Sequence, residues 1–279
     1  MPGGLTAQQV VDRIQKNLCV PWKTPSVDVF NAGTPDARVT GIATTFTPTL
    51  DVLRRAAKAA KNMIVTREPP FYGHGDTAKY LSKDATYTFK QDFIAKNNFV
   101  IWRFYDNWQA RRVDGQLRGL AMALGWDKYY KTGGEDPYHP GDGFFVLPGT
   151  SLRDLAKNIQ DRLKIRGIRI IGDPQTKVSK VALTHGFLLV PELQKTLKEP
   201  GVDAVVAGEP VEWEAGPYFE DVVASGQRKG MIVLGHEVSE EPGSGEVAAW
   251  LKTFISEVPI EWIPAGEPFW APKPEGVAQ

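Results

Sequence analysis

The residues best suited to chemistry in this chain are a histidine and a glutamate four positions apart. His236 and Glu240 belong to the segment Leu-Gly-His-Glu-Val-Ser-Glu, which follows an apolar run. If the chain turns helically after that run, an imidazole nitrogen and a carboxylate oxygen can face one cation. Taken alone, such a pair is more often an acidic residue at a helix N-terminus with a histidine nearby than a metal site. The spacing therefore indicates metal binding only in combination with other residues.

Further polar residues stand directly after three other predicted strands. Ligands of open α/β sheets bind beyond the carboxyl ends of the strands, where loops and helix N-termini converge. The residues at these ends are Arg67 and Glu68 after one strand, Tyr105, Asp106 and Gln109 after another, and Glu209 after the third. Their joint placement predicts a binding or catalytic site.

Each of these residues also has an ordinary structural explanation. Arg67 and Glu68 can form a solvated ion pair, Asp106 can form a turn, and Glu209 can end a strand in water. The remaining histidines, His74, His139 and His185, are scattered through the chain. A solvated loop position is the better interpretation for His74, no chemistry is expected of His139, and the role of His185 stays open.

Alternating helices and strands must position the candidate residues in the first half of the chain. Thr6 and Gln9 form a capping box that predicts the first helix. Residues 38–66 predict a βαβ unit with parallel strands, in which Thr47 caps the helix. A strand over residues 98–104, a polar loop over 105–114 and a helix over 115–124 follow.

The second half repeats this alternation. A run of Gly, Pro and acidic residues over 131–143 indicates an exposed connection, and we place a domain boundary there, between residues 1–135 and 136–279. Strands are predicted at 144–147, 168–171, 180–184, 203–207 and 231–235, and helices from Ser151 to about 163, near 191–198 and over about 245–256.

Composition excludes several classes of protein. Lys and Arg total 33 and Asp and Glu total 33, so no net charge attracts nucleic acid or an anionic membrane surface. No targeting segment or spanning helix is predicted, and we expect a cytoplasmic protein. The single cysteine, Cys19, excludes an intramolecular disulfide and is expected to pack. Walker, Gly-x-Ser-x-Gly and dinucleotide-binding motifs are absent from the sequence.

The motifs at the candidate residues resemble those of the NIF-three-like family, whose bacterial members are labelled type 2 homologues of GTP cyclohydrolase I. The N-terminal part of the chain resembles that of the family. It contains a Val-Thr-Gly-Ile strand, an alanine-rich helix and an Ile-Val strand that ends in a loop with Pro69 and Phe71. The segments 202–209 and 234–240 are similar to the family's Thr-Gly-Glu/Asp and Gly-His-x-x-x-Glu motifs. The resemblance covers most of the chain and implies two similar α/β/α halves, with mixed sheets facing a central cleft.

The resemblance also implies a metal site, in a degraded form. Family members bind two divalent metals through two adjacent histidines, an acidic residue after the next strand and the His-x-x-x-Glu pair. Here the adjacent histidines fall on Arg67 and Glu68, and the acidic ligand falls near Gln109. Arginine cannot ligate a cation and can instead take the place of one metal. The implied set of Glu68, His236 and Glu240 would hold at most one Zn, Mn or Fe ion per subunit, or no metal at all.

Two functions of different kinds are consistent with these residues. The first is a metal-dependent hydrolase of a small, nucleotide-like molecule, in which Glu209 or Asp106 moves protons and Arg67, Tyr105 and Gln109 bind the substrate. The second is a non-catalytic ligand-binding or scaffold protein in which Arg67 pairs with a glutamate and the metals are lost. A partner-protein regulator acting through the tail from Trp262 to Trp270 is a weaker third hypothesis. The resemblance further implies a ring-like homo-oligomer, commonly a hexamer.

Overall fold

The chain forms two compact units. The computed structural model describes residues 4–75, 78–111, 114–129 and 143–270. The first unit combines Met1–Gly119 with Glu241–Ala265, and the second combines Leu120–Glu240 with Gly266–Gln279. The predicted boundary between residues 135 and 136 falls among residues that the structure does not describe, so it stays a prediction.

Helices and strands alternate along the described residues. In chain order they are α1 (Ala7–Asn17), β1 (Phe30–Ala32), β2 (Ile42–Thr45), α2 (Leu50–Lys58), β3 (Met63–Thr66), α3 (Ala85–Lys96), β4 (Val100–Arg103), α4 (Asp106–Gln109), α5 (Gly115–Leu124), β5 (Gly143–Ser151), α6 (Leu152–Leu163), β6 (Arg169–Ile171), β7 (Lys177–Leu183), β8 (Phe187–Leu188), α7 (Val190–Lys198), β9 (Ala204–Ala207), β10 (Glu209–Pro210), α8 (Glu212–Ala224), β11 (Gly230–Val233), α9 (His236–Leu251) and β12 (Ile260–Trp262). Two short 3-10 helices occupy Ala78–Leu81 and Asp127–Tyr129.

A five-stranded sheet with helices on both faces forms the first unit. Its strand order is β1-β4-β3-β2-β12, with β1 antiparallel and the others parallel. Successive side chains of a strand point to opposite faces. Accordingly, Met63 and Val65 pack with apolar residues of α1 and α9, whereas Ile64 packs with those of α2 and α3. The predicted parallel βαβ unit is confirmed, and Arg67 and Glu68 follow its second strand.

Local signals account for several helix starts. Thr6 and Gln9 form the predicted capping box of α1. Ser151 caps α6 by accepting from the Asp154 amide. The prediction that Thr47 caps α2 is wrong, because Thr49 accepts the Val52 amide and the helix begins at Leu50. The expectation that Cys19 packs is also wrong, because this residue is exposed.

The second unit contains its own five-stranded mixed sheet. The strand order is β5-β7-β9-β11-β6, in which the central three strands are parallel and both edge strands are antiparallel. Helices α7 and α8 pack Leu193 and Phe219 against one face. A separate parallel pair, β8 with β10, lies just beyond the carboxyl ends of β7 and β9. The predicted α/β class is therefore confirmed in both units.

Sequence patterns missed some elements and shifted others. Helix α9 begins at His236, nine residues before the predicted start at 245, and continues through Pro242. Helices α3 and α8 and strand β1 were not predicted, and α4 lies inside the predicted polar loop. Among the described residues, no helix combines the length and apolar character needed to cross a membrane.

Candidate metal centre

The His236–Glu240 pair occupies the first turns of a helix that follows a buried strand. After β11 the chain reverses at Gly235, whose φ of 97° is readily accessible only to glycine, and α9 starts at the next residue. Positions four apart on a helix share one face. His236 Nε2 therefore lies 3.9 Å from Glu240 Oε2. The helical turn on which the metal prediction depended is present.

Each member of the pair is held from outside by a second ionisable side chain. Glu209 Oε2 lies 2.7 Å from His236 Nδ1, and His185 Nδ1 lies 2.9 Å from Glu240 Oε1. The four side chains form a row, with the two facing atoms of His236 and Glu240 in the middle. Glu240 and His185 have side chains only 2% and 3% exposed, whereas His236 reaches solvent.

Backbone atoms close one side of this row. The Gly186 amide donates to Ser239 Oγ, and that hydroxyl donates to the His236 carbonyl. A Cβ at Gly186 would lie 2.5 Å from Glu240 Oε1 and 3.5 Å from His236 Nε2. A side chain at this position would collide with the carboxylate, so glycine leaves the space beside the pair open.

The donor chemistry of the pair suits one divalent ion. A separation of 3.9 Å is longer than a hydrogen bond, and the two atoms would have to approach to about 3.3 Å to share a tetrahedral ion at about 2 Å each. Glu209 fixes the orientation of the imidazole through Nδ1 and leaves Nε2 facing Glu240; carboxylate support of this kind is typical of histidine ligands. The His236–Glu240 pair could thus contribute to binding one metal ion. The third predicted ligand, Glu68, belongs to the first unit, and its participation stays a prediction.

The next residue of α9 carries a perturbed carboxyl group. Burial raises the pKa of Glu237 to about 7, and the neighbouring His236 opposes this shift. The charge of this side chain near neutral pH is therefore set mainly by its desolvation.

In the first unit, Glu68 forms an ion pair with a buried arginine that sequence reasoning missed. Arg103, which is 1% exposed, places Nη2 3.0 Å from Glu68 Oε2. The same guanidinium donates to the carbonyls of Arg67 and His74, at 3.1 and 2.6 Å. His74 Nδ1 lies 3.5 Å from the Glu68 carboxylate. Glu68 is thus fixed by a permanent cation.

The three residues predicted to bind substrate pack together in the same unit. Arg67 Nη2 donates to Gln109 Oε1 at 2.9 Å, and Nη1 donates to the Tyr105 carbonyl at 3.3 Å. The Arg67 guanidinium also lies 3.5 Å from the centroid of the Tyr105 ring, which gives a close cation–π contact. The structure therefore brings Arg67, Tyr105 and Gln109 into one contacting group.

The predicted catalytic residue Asp106 anchors a neighbouring segment. Its carboxylate accepts from the Val27 amide at 3.1 Å and lies 3.4 Å from Lys23 Nζ. The start of α4 is held in turn by Asp28, which accepts from the backbone amides of residues 105, 106 and 107. The contacts of Asp106 thus join α4 to the segment before β1, and its predicted role in proton transfer stays a prediction.

Comparison with known proteins gives the family. The model of the Duf34/NIF3 (NGG1p interacting factor 3) family matches residues 9–266. The chain belongs to this family. A GTP cyclohydrolase 1 type 2 homolog of Clostridium acetobutylicum is 24% identical over 214 residues, which are 75% of each chain.

Solved structures with the same fold show little sequence identity to this DUF34/NIF3 chain. A Staphylococcus aureus protein matches with a TM-score of 0.76 and 16% identity, covering 96% of this chain and 99% of its own. A Bacillus cereus protein related to NIF3 matches with a TM-score of 0.73 and 15% identity, covering 95% and 98%. At such identities, the likeness shows the fold alone.

Two ionisable residues of these clusters, His185 and Arg103, could have been found from the sequence by the same reasoning that selected the other candidates. His185 follows β7, so the rule that selects residues beyond carboxyl strand ends also applies to it. Arg103 is the last residue of β4 and looked like part of a buried strand. A buried arginine requires a charged or hydrogen-bonding partner, and Glu68 stood two residues beyond the adjacent strand.

Proposed function

We propose that this DUF34/NIF3 protein is a metal-dependent hydrolase of a small, nucleotide-like molecule and uses one divalent ion per subunit. The observation that carries the proposal is the row Glu209, His236, Glu240 and His185. In this row, two donor atoms face each other at 3.9 Å and each is held by an outer partner. Such outer support is characteristic of metal ligands, because it fixes their tautomer and orientation.

The side chains of the row have separate tasks in this proposal. A bound Zn, Mn or Fe ion would lower the pKa of a bound water and polarise a substrate oxygen. Glu209 keeps the proton of His236 on Nδ1, so that Nε2 offers its lone pair. His185 holds Glu240 Oε1, so that Oε2 remains directed at the histidine. The Glu209 carboxylate is 54% exposed, which also suits the proton transfer assigned to it from sequence.

The assignments made in the first unit complete the proposal. Glu68 is proposed as a further ligand, Asp106 as a second proton-transfer group, and Arg67, with Tyr105 and Gln109, as the group that binds an anionic part of the substrate. The contacts with Gln109 and Tyr105 support this assignment, because an oriented guanidinium binds carboxylate or phosphate with little loss of side-chain freedom. Arg67 is only 3% exposed, so an anion must reach the guanidinium at its small open surface.

One observation favours a second candidate, a non-catalytic ligand-binding or scaffold protein. Arg103 already neutralises Glu68 in a pair whose arginine is fully buried. A carboxylate that is tied to a permanent cation is a weaker metal ligand, because the ion must compete with the guanidinium. In this alternative, the arginines take over the electrostatic role of the metals.

Metal content per subunit distinguishes the two candidates. Wild type, His236→Ala, Glu240→Gln and Glu212→Gln are exposed to Zn, Mn and Fe, desalted and analysed by elemental mass spectrometry. Glu212 is the matched control, because it is an exposed glutamate that pairs with Arg169. We expect about one ion in wild type and control and less than about a tenth of an ion in the other variants, since each loses a ligand.

Hydrolysis is then tested on the loaded protein with GTP and p-nitrophenyl phosphate as probes. Turnover that disappears with His236→Ala supports the hydrolase. Metal binding without turnover of these or other small phosphate esters contradicts hydrolysis but keeps the metal centre. A metal-free wild type refutes the metal-dependent function and favours the second candidate.

The proposal also includes the assembly and location expected from the sequence. We propose a ring-like homo-oligomer, commonly a hexamer, that acts on a small molecule in the cytoplasm without a nucleic-acid or membrane partner. Light scattering coupled to size-exclusion chromatography tests the assembly, and a monomeric mass would contradict it.

A further inference from the structure

Strand β8 exposes a large aromatic side chain in the second unit. Phe187 is 55% exposed, whereas the next residue, Leu188, is 3% exposed. Leu189 is again 43% exposed, so the alternation of a strand places Phe187 and Leu189 on the outer face. Single exposed apolar residues are common. The position of Phe187 within the fold is what distinguishes it.

Strand pairing places Phe187 beside the candidate metal centre. In the parallel pair of β8 with β10, Phe187 lies opposite Glu209 and Leu188 lies opposite Pro210. Opposite residues of paired strands have their side chains on the same face, and the two backbones are about 4.8 Å apart. Both Phe187 and Glu209 are exposed, and Glu209 contacts His236 directly.

Gly186, the residue before Phe187, also lies beside the candidate metal centre. A Cβ at Gly186 would lie 2.5 Å from Glu240 Oε1 and 3.5 Å from His236 Nε2. The backbone of Gly186 therefore borders the space between the two facing donor atoms. Phe187 thus follows directly from that border, on the strand face that also carries Glu209.

We propose that Phe187 binds a planar apolar ring of the ligand whose polar group is held at the His236–Glu240 pair. This inference rests on the proposed metal centre and adds a substrate class to it, namely small molecules that carry an aromatic ring next to the metal-binding group. The energetic basis is the stacking of ring on ring, which stabilises binding by a few-fold to about tenfold.

Two chelators that differ only in an aromatic ring test the proposal. Zinc-loaded wild type, Phe187→Ala and Leu189→Ala are titrated with benzohydroxamate and acetohydroxamate by calorimetry. The measured quantity is the ratio of the two affinities, which cancels the binding of the shared hydroxamate to the metal. We expect Phe187→Ala to lower this ratio about fivefold through loss of ring stacking, while acetohydroxamate affinity stays unchanged. Leu189→Ala, a matched change on the same face of the chain, should keep the wild-type ratio.

Each other outcome has a definite meaning. An unchanged ratio in Phe187→Ala overturns the aromatic subsite while leaving the metal centre intact. Light scattering gives a second check on Phe187→Ala. If the ratio of affinities is unchanged and the assembly is smaller than in wild type, a second copy of the chain covers Phe187, and the aromatic subsite is again overturned. A wild type without zinc by elemental mass spectrometry instead refutes the proposed function, so the two failures are distinguishable.

Discussion

Replacement of Lys90 by methionine should alter how stability depends on pH. Lys90 lies on α3 and is 2% exposed, with its ammonium 2.5 Å from the Pro70 carbonyl and 4.9 Å from the centroid of the Tyr72 ring. No carboxylate contributes to its shift, and burial alone lowers its pKa from 10.5 to about 8. Methionine has a similar length and no charge, so Lys90→Met isolates the ionisation.

The sign of the effect follows from the two pKa values. Between about pH 8 and pH 10.5 the unfolded chain keeps the Lys90 proton, whereas the folded chain releases it. The free energy of unfolding of wild type therefore rises with pH in this window, relative to Lys90→Met. At about 1.4 kcal/mol per pKa unit, the difference between the two proteins should change by about 2.5 kcal/mol from about pH 7 to about pH 10.

Denaturant unfolding of both proteins at several pH values measures this change. Groups that do not contact Lys90 titrate alike in the two proteins and cancel in the difference. Lys96→Met is the control, because Lys96 is an exposed lysine at the end of the same helix, and it should follow wild type within about 0.5 kcal/mol. A wild-type to Lys90→Met difference that stays constant from about pH 7 to about pH 10 would refute the reasoning, because it would mean that the ammonium is solvated.

Three further changes test contacts that position the candidate site. Asp28→Ala removes the acceptor for three backbone amides at the start of α4, and we expect about 2–4 kcal/mol less free energy of unfolding in urea; a loss under about 0.5 kcal/mol would show that water replaces the carboxylate. Arg103→Met leaves the Glu68 carboxylate without its buried partner and should lower the free energy of unfolding by about 3 kcal/mol. The added change Glu68→Gln should recover part of this loss, and strictly additive effects would argue against the pair. Gly186→Ala places a Cβ 2.5 Å from Glu240 Oε1 at a φ of 60°. We therefore expect this variant to bind metal at least about tenfold more weakly, as measured by competition with a fluorescent chelator. An unchanged affinity would show that Gly186 does not border the metal-binding pair.

Short-range signals in the sequence predicted the frame of the fold and part of the site. Buried strands such as β3 read as uninterrupted apolar runs because both faces of a parallel sheet are covered. The capping box of α1 lies within four residues, so it is visible without any tertiary information. The His-x-x-x-Glu spacing likewise predicts a shared helix face, and the structure contains that face.

Elements whose pattern depends on distant packing could not be predicted in this way. Helix α3 buries Lys90 together with Ile94, so its inward face is not purely apolar and its periodicity is weak. Helix α8 contains Pro217 after Gly216, a pair typical of a turn. Helix α9 contains Pro242 and Gly243, yet the helix continues through them, and their backbone packs tightly against Gly119 of α5.

The sequence by itself determined the α/β class, the family and the strand ends at which charged residues collect. The class and the strand ends follow from local composition and spacing, which act over a few residues, whereas the family follows from the resemblance of the motifs. Only the tertiary structure decided which charges meet: Arg103 pairs with Glu68, His185 with Glu240, and Glu209 with His236. The partners in these pairs are 35, 55 and 27 positions apart. Parallel strand pairing brings the first and third of these pairs together, because adjacent strands of a βαβ unit end at the same edge of the sheet while the chain between them passes through a helix. His185 follows β7, which β9 separates from β11, and it meets Glu240 because that residue lies one turn into α9.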